Sequence, residues 1–298
     1  MNLKSMIFLA ICLFSRSIFA LEIGSLSSNP AVRFGNAVRV AESEKATYSI
    51  SLSALAGGFF VENRRLLARP DLQPENRFKE LKISRNLPAK YDLREKGCVT
   101  PAKNQGDCGS CWAHTFTGIF ESLILMHDKV ATDLSEQDLM NCNKKGYGCD
   151  GGYEDVLQYF VDQGAALEKD CPYVGHELAC QSGISHPYKL SGWKVLDTNE
   201  STPPAPEIIK QAILDYGPVS VSVAADDSFM LYHGGIFNHD GQELNHLVML
   251  VGWDDSMGSK GCWILKNSGG PQWGENGFMY IEYGKSKVGI YPAILQYK

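Results

Sequence analysis

The pattern of apolar positions divides the chain into a helical half and a strand-rich half. Between residues 110 and 127 apolar side chains recur every three or four positions, which predicts a helix with one buried face. Two shorter helices are predicted after it, one opened by a capping box at Ser135 and one over residues 153–163. A helix over 207–216 is followed by strand-like runs at 219–225, 246–253, 262–266 and 277–283. This order predicts an α+β fold with two lobes and a cleft between them.

The N-terminal part of the chain has a different pattern of apolar and polar residues. Residues 1–20 have the charged, apolar and small-residue order of a secretory signal, with cleavage expected after Ala20; a short membrane anchor is the alternative. Residues 21–57 show no strong period, and 59–84 look more helical although prolines interrupt them. Because the composition changes at residues 87–88, the main domain is placed at 88–298, with a helical lobe over about 88–190 and a β-rich lobe over about 191–298.

Charge is unevenly distributed along the chain. Residues 58–96 hold ten Lys/Arg against six Asp/Glu, whereas residues 97–298 hold thirteen against twenty-five. An acidic body is a poor partner for nucleic acid, and a basic arm is expected to be attracted to it. No segment after the signal reaches the ~18–20 apolar residues of a membrane span, so no membrane partner is predicted.

Cysteine usage agrees with export. Removal of the signal would leave eight of the nine cysteines, and an exported chain with this many is expected to form disulfides. A zinc site built on Cys108, Cys111, Cys142 and Cys149 is one alternative. A thioredoxin-type redox pair is another, although the strand that should precede such a motif is missing.

Cys111 is the candidate nucleophile. It follows a glycine-rich loop, and Ser110 as N-cap would place its thiol in the first helical turn, where the helix dipole should lower the thiol pKa. An inert buried cysteine is the alternative. His246 stands at the mouth of a buried strand, either as a base or as a core residue, and neighbouring antiparallel strands would bring Asn267 beside it.

These residues carry a resemblance to a known family. Cys108-Gly-Ser-Cys-Trp112, with a histidine and an asparagine 135 and 156 residues after Cys111, resembles the signature of papain-like cysteine proteases. Further matching motifs follow in order across residues 88–298: Asp92-Leu-Arg, Gln105-Gly, Leu134-Ser-Glu-Gln137, Cys149-Asp-Gly-Gly152, Pro218-Val-Ser-Val, Lys266-Asn-Ser268 and Trp273-Gly-Glu-Asn-Gly277. The chain is thus similar to a secreted papain-like zymogen, with residues 21–87 as an atypical propeptide.

The resemblance implies a fold and four catalytic roles. It implies a two-lobe papain-like fold with a helical left lobe, an antiparallel β-barrel-like right lobe and the active site in the cleft. Cys111 matches the nucleophile, His246 the imidazole that pairs with it, and Asn267 the amide that orients the imidazole. Gln105 matches the side-chain donor of the oxyanion hole, in which the backbone N–H of Cys111 is the other donor.

The resemblance also implies the substrate-binding residues. Gly151 and Gly152 match the loop that hydrogen-bonds an extended substrate, which needs close backbone approach. The pocket for the second residue before the scissile bond, together with the rest of the substrate site, is expected from Tyr153, Ser222, Leu244, Asn245, Leu247, Trp273 and Ala293. Because no acid stands at Ala293, an apolar or aromatic preference is expected in that pocket.

The same match assigns the disulfides. Cys108 should pair with Cys149, and Cys142 with Cys180. Asp240 and Val288 stand where the family's third bridge usually lies, so that bridge is missing. Three cysteines remain: Cys98 and Cys171 as a candidate extra bridge, and Cys262 as a buried free thiol.

Two departures from the family pattern bear on activity. Gly269 replaces the tryptophan that usually covers the Asn267–His246 hydrogen bond, so that bond is expected to be more exposed and the enzyme slower. His114 replaces an aromatic residue and is expected to pack.

The predicted function is that of a cysteine endopeptidase acting on polypeptides, with no cofactor and no metal. An exopeptidase and a weakly active or non-catalytic homologue are the alternatives. The propeptide is expected to inhibit as a basic arm over an acidic cleft, released at low pH. The protein is expected to be a monomer in an extracellular, periplasmic or lysosome-like compartment, and Asn199 begins a glycosylation sequon.

Overall fold

The computed structural model describes residues 29–43, 46–51, 69–79, 81–84 and 86–298. The predicted signal over residues 1–20 lies outside them. Within the described ranges, no helix combines the length and the apolar character needed to cross a membrane.

Most of the helical structure lies in the first half of the main domain, as predicted. The α-helices are α1 (Pro30–Ser43), α2 (Cys111–Asp128), α3 (Glu136–Cys142), α4 (Gln158–Asp162), α5 (Pro206–Tyr216) and α6 (Asp227–Met230). Short 3-10 turns lie at Pro74–Asn76, Glu154–Leu157 and Lys285–Lys287. The capping prediction is confirmed for α3, where the Asp138 N–H donates to Ser135 Oγ at 2.9 Å.

The strands form one mixed but mostly antiparallel sheet. They are β1 (Tyr48–Ile50), β2 (Lys90–Asp92), β3 (Gly192–Val195), β4 (Val219–Val223), β5 (Tyr232–Phe237), β6 (His246–Asp254), β7 (Cys262–Lys266), β8 (Phe278–Glu282) and β9 (Ile290–Gln296). Their order is β1-β5-β8-β7-β6-β4-β9-β3, with β2 also on β6, and only the β5–β8 pair is parallel among those described. The predicted α+β class is confirmed.

Helix α2 and strand β6 form the centre of the molecule. The Thr115 hydroxyl on α2 donates to the backbone carbonyl of Leu247 on β6 at 3.0 Å. From Cys111 to Ile124 every residue of α2 is buried. The sequence predicted a helix with only one buried face. The helix is instead buried all round over this range, because the sheet packs on one side of it and other helices pack on the opposite side.

Five strands were missed because their sequences carry breakers or are short. β5 contains Gly234 and Gly235, and β9 contains Pro292, which has no N–H to donate. The register between β4 and β9 shifts between Ser220 and Ser222, so the ladder is irregular where the proline lies. β1, β2 and β3 have only three or four residues each, too few for a periodic signal.

The N-terminal segment differs from its sequence prediction. Residues 21–57, in which the sequence shows no strong period and for which no element was predicted, contain α1 and β1. Of the segment 59–84, expected to be more helical, the described part from residue 69 holds only the turn at Pro74–Asn76. Pro70 and Pro74 account for this, since each disfavours a helical residue before it.

The cysteine pairing agrees with two of the three predicted assignments. Cys108–Cys149 and Cys142–Cys180 are disulfides, and Cys262 is a buried free thiol. The proposed Cys98–Cys171 bridge is wrong, because both are free thiols. The backbone N–H of Cys98 bonds to Leu93 beside the sheet, whereas the Cys171 carbonyl accepts from Ser135 at the start of α3.

Polar contacts join the chain where the third family bridge is missing. Lys285 Nζ lies 2.7 Å from Asp240 Oδ2, and the Ser286 hydroxyl donates to the carbonyl of His239 at 3.0 Å. The Gly241 N–H returns a bond to the same hydroxyl at 3.0 Å. An ion pair and two hydrogen bonds therefore connect the two segments that a disulfide would have joined.

Removing the Cys142–Cys180 bridge is expected to lower the free energy of unfolding by about 4 kcal/mol, because it frees a long loop in the unfolded chain. The two cysteines are 38 residues apart. Chemical denaturation of a Cys142→Ala/Cys180→Ala variant measures the change. The double variant of the free thiols, Cys98→Ala/Cys171→Ala, is the control; a loss as large in the control would contradict the assignment.

Candidate active site

The Cys111 thiol begins helix α2, at the position predicted from sequence. Ser110 occupies the N-cap position, but its hydroxyl does not cap the helix and instead bonds to the Tyr173 hydroxyl at 2.6 Å. The loop before it is held by the Cys108–Cys149 disulfide and by a bond from the Gly109 N–H to the Cys149 carbonyl at 3.0 Å. The turn is therefore fixed by the disulfide rather than by a cap.

The electrostatic prediction for Cys111 is wrong in the intact chain. The residue is 6% exposed, and burial raises the pKa of its thiol to about 11. The backbone N–H groups of Leu247, Trp112 and Cys111 itself oppose this rise without cancelling it. Desolvation of the thiolate outweighs the helix terminus, so the thiol is neutral near pH 7.

His246 and Asn267 meet at the ends of two paired strands. His246 opens β6, Asn267 follows β7, and Nε2 of the imidazole lies 2.7 Å from Oδ1 of the amide. The placement predicted from antiparallel pairing is confirmed. His246 is fully buried, and burial lowers its pKa to about 4, although the Asn267 bond favours the charged form.

The backbone at Leu247 ties this imidazole to the Cys111 helix. Its carbonyl accepts from the Thr115 hydroxyl, one turn after Cys111 along α2, at 3.0 Å. The residue next to His246 is therefore held against the first turn of the helix. This arrangement brings the thiol and the imidazole to the same junction of helix and sheet.

The Asn267–His246 bond is not exposed in spite of Gly269, which corrects the sequence expectation. Both residues are buried, and the ring of Phe229 lies edge-on to the imidazole at 5.9 Å. Trp273 packs on Phe229 at 5.4 Å. The Phe229 ring, with Trp273 packed behind it, thus excludes water on one side of this bond.

Gln105 lies fully buried beside both the cysteine loop and the Asn267 segment. Its Oε1 accepts from the Ser268 hydroxyl at 2.6 Å, and its Nε2 donates to the Cys108 carbonyl at 2.8 Å. Its backbone carbonyl accepts from the Tyr173 hydroxyl at 2.8 Å. These contacts fix the orientation of the amide, and Nε2 has a second hydrogen to donate.

The two glycines of the predicted substrate loop are each required by the structure, for different reasons. Gly151 adopts φ 114°, which side-chain-bearing residues rarely adopt. A Cβ on Gly152 would stand 2.7 Å from the Trp112 indole, so no side chain fits there. The loop is thus stacked directly on α2, with Tyr153 buried at its end.

The other predicted pocket residues lie on neighbouring strands. Ser222 on β4 is the register partner of Leu247 on β6, and Ala293 on β9 pairs with Ser220. Leu244 is half-buried just before β6. Position on adjacent strands brings this set beside His246.

Asn245 and Trp273 serve internal structure instead. The Asn245 side chain bonds to both the N–H and the carbonyl of Ala225, each at 2.8 Å. The Trp273 indole N–H donates to the Met230 carbonyl at 3.0 Å, and the ring is fully buried. Neither side chain is presented to a ligand.

His114 packs, as expected. Its Nδ1–H donates to the Ser110 carbonyl at 3.1 Å, and the ring lies edge-on to Tyr173 at 4.7 Å. Burial lowers its pKa. No group of three or more His, Cys, Asp or Glu side chains that could hold a metal ion occurs in the part of the chain that the structure describes.

A cationic contact that the sequence did not predict lies at the edge of the site. The Arg69 guanidinium lies between the rings of Tyr153 and Tyr291, at 4.6 and 3.6 Å from their centroids. It forms an ion pair with Glu154 and donates to the Ser222 hydroxyl at 2.9 Å. The only sign of this contact in the sequence was the acidic residue directly after Tyr153. That residue was interpreted as part of the helix predicted over 153–163.

The described N-terminal segment contacts the main domain at further points. Helix α1 packs on α6, where Arg33 forms a buried ion pair with Asp227. Strand β1 adds to β5, and the Tyr48 ring lies 4.6 Å from that of Phe237. This segment is therefore docked through sheet pairing, apolar packing and ion pairs.

Comparison with known proteins gives consistent matches. The profile described as papain family cysteine protease matches residues 87–296. Cathepsin K of Mus musculus is 35% identical over 209 residues, covering 68% of this chain and 62% of that protein. Chymopapain of Carica papaya is 38% identical over 218 residues, covering 70% of this chain and 60% of that protein.

The chain thus matches about three fifths of the length of these two relatives. Among solved structures, the digestive procathepsin L 3 of Tenebrio molitor larval midgut superposes with a TM-score of 0.71 at 28% identity. The superposition covers 92% of this chain and 94% of that one. The similarity to a proform extends over residues on both sides of residue 87.

Proposed function

Because the chain belongs to the papain family of cysteine proteases, we propose that it is an endopeptidase with Cys111 as nucleophile. The thiolate attacks the peptide carbonyl, and the His246 imidazolium gives its proton to the leaving amine. Water, deprotonated by His246, then hydrolyses the thioester, and the sulfur leaves as the thiolate beside the imidazolium, which is the starting state. Gln105 Nε2 and the Cys111 N–H stabilise the oxyanion in both steps.

One observation carries the proposal. The 2.7 Å bond between His246 and Asn267 lies beside Leu247, whose backbone carbonyl accepts from Thr115, one turn after Cys111 on α2. The bond from Nε2 to the amide fixes the ring so that Nδ1 is the nitrogen available to the thiol. A buried histidine needs a hydrogen-bonding partner in any case, so it is the meeting of this His246–Asn267 pair with the Cys111 helix that supports a catalytic role.

We also propose that residues 21–87 are an inhibitory propeptide of an exported zymogen, in an extracellular, periplasmic or lysosome-like compartment. The Arg33 and Arg69 ion pairs with the main domain support this assignment. So does the protonation of the site, because a thiol pKa of about 11 and an imidazole pKa of about 4 leave both groups neutral between these values. Release at low pH stays a prediction.

The neutral pair leads to a pH prediction. In the intact chain Cys111 is expected to react with iodoacetamide at pH 7 roughly 100-fold more slowly than an ordinary cysteine, since only the thiolate reacts. The rate should rise with pH towards the pKa of about 11. Alkylation followed by peptide mapping, before and after removal of residues 21–87, measures it; equal rates at pH 7 in both forms would contradict the proposed inhibition.

The function itself is tested by labelling and by product analysis. An epoxide inhibitor of cysteine proteases should modify the processed protein at Cys111 and at none of the other free thiols, and His246→Ala should abolish the labelling. A protein substrate should then yield internal fragments. Products released only from chain ends would instead support an exopeptidase, and labelling spread over several cysteines would contradict the assigned nucleophile.

A further inference from the structure

A buried carboxylate lies in the pocket that borders the catalytic junction. The Glu154 side chain is 2% exposed, and its Oε2 is paired with Arg69, whose own side chain is 10% exposed. Its Oε1 is buried and has no hydrogen-bonding partner among the described residues. A carboxylate buried in this way is stable only with a cation beside it.

The pocket is arranged around a planar cation. The guanidinium of Arg69 is stacked between the faces of Tyr153 and Tyr291, and its edge donates to Ser222 Oγ. The aromatic rings, the hydroxyl acceptor and the carboxylate match, in turn, the planar faces, the N–H edge and the positive charge of an arginine guanidinium. A second acid, Glu200, stands 3.9 Å from the Arg69 Nε at the exposed rim.

The position of this pocket relates it to the substrate. Tyr153 directly follows the glycine pair of the substrate loop, and Ser222 is the register partner of Leu247, next to His246. These are residues expected to contact the second substrate residue before the scissile bond. Arg69, from the N-terminal segment, therefore occupies the place of a substrate side chain.

We propose that this pocket selects arginine at the second position before the scissile bond, and that Glu154 is the residue that determines the selectivity. The inference rests on the proposed endopeptidase function. It replaces the apolar preference that was expected because no acid stands at Ala293. The pocket does contain an acid, Glu154, but on a different side from Ala293. When Arg69 leaves with the propeptide, an arginine of the substrate takes its contacts.

Other side chains fit the pocket less well. Leucine or phenylalanine could pack between the tyrosine rings, but each would exclude water from Glu154 without neutralising its charge. Lysine would neutralise the charge, yet it cannot bond Glu154 and Ser222 at once with a rigid fork. The expected order is therefore arginine, then lysine, then the apolar side chains.

The test uses the processed enzyme and dipeptide fluorogenic substrates that differ only in the second residue before the scissile bond. Arginine is expected to exceed leucine in kcat/KM by at least ~10-fold. Glu154→Gln keeps the shape of the side chain and is expected to lower kcat/KM for arginine by roughly 10–100-fold, the usual range for a charge-assisted bond, while leucine is unchanged or improved.

A neighbouring acid provides the matched control. Asp155 accepts from the Tyr147 hydroxyl and pairs with Lys145, and it is not among the hydrogen-bond or ion-pair partners described for Arg69. Asp155→Asn removes the same charge one residue away, so it should leave the arginine-to-leucine ratio unchanged. Equal effects of the two variants would mean that overall charge, not Glu154, determines the preference.

The failure of this inference can be told apart from the failure of the proposed function. An enzyme labelled at Cys111 that prefers leucine to arginine would overturn the pocket assignment alone. A protein that hydrolyses none of the substrates and is not labelled would overturn the endopeptidase proposal. If Glu154→Gln does not accumulate as folded protein, the substrate panel on the natural sequence still decides.

Discussion

Cys111→Ala is expected to lower kcat/KM for peptide hydrolysis by at least about 10⁴-fold, because no other group can form the thioester. The catalytic residues act as a unit, so His246→Ala should cost a similar factor and the double variant little more. Since neither variant can process itself, each is treated with an unrelated serine protease, which is then inhibited. Hydrolysis of a fluorogenic peptide measures the rate.

The control removes a thiol that lies elsewhere. Cys98 is half-buried beside the sheet, and its sulfur contacts only the Lys96 carbonyl among the hydrogen bonds described. Cys98→Ala should keep full activity. A Cys111→Ala protein as active as this control would remove Cys111 from the mechanism, and a natural protein that is itself inactive would favour the non-catalytic homologue.

The placement of the candidate catalytic residues could be predicted from sequence because it depends on the ends of helices and strands. Cys111 begins a helix and His246 begins a strand, and both patterns are periodic enough to locate. The position of Asn267 beside His246 follows from the antiparallel pairing of β6 with β7, which a short connection between the two strands favours. The two disulfides followed from the family resemblance rather than from any spacing rule.

The protonation of the site could not be predicted in this way. A helix terminus lowers a thiol pKa, but burial by distant parts of the chain raises it further, and burial is a tertiary property. The Phe229 ring beside His246 is likewise 17 residues away in sequence, so the local sequence pattern could not predict this contact. It explains why Gly269 does not leave the Asn267 bond exposed.

The contacts of the N-terminal segment were also beyond sequence reasoning. Arg69 and Glu154 are 85 residues apart, and nothing in either local pattern relates them. The charge contrast between the two parts of the chain predicted attraction, yet not which residues meet. The structure shows a specific arginine in a specific pocket, a contact more selective than a general basic arm would make.

Gln105→Ala is expected to lower kcat by about 10²–10³-fold with little change in KM, the usual loss for one oxyanion-hole donor. The amide bonds the oxygen more strongly as its charge develops, so its removal affects the transition state and not the bound substrate. Steady-state kinetics on the processed enzyme separate the two constants. A rise in KM at constant kcat would show that Gln105 only binds substrate.

Ser268 allows the orientation of this amide to be tested separately. Its hydroxyl donates to Gln105 Oε1 at 2.6 Å, so Ser268→Ala leaves Gln105 in place but free to rotate. A loss of ~10-fold is expected, smaller than for Gln105→Ala because one donor is misplaced rather than removed. In the Gln105→Ala background the same change should have almost no effect, since there is no longer an amide to orient. An equal loss in both backgrounds would mean that Ser268 acts on the reaction independently of Gln105.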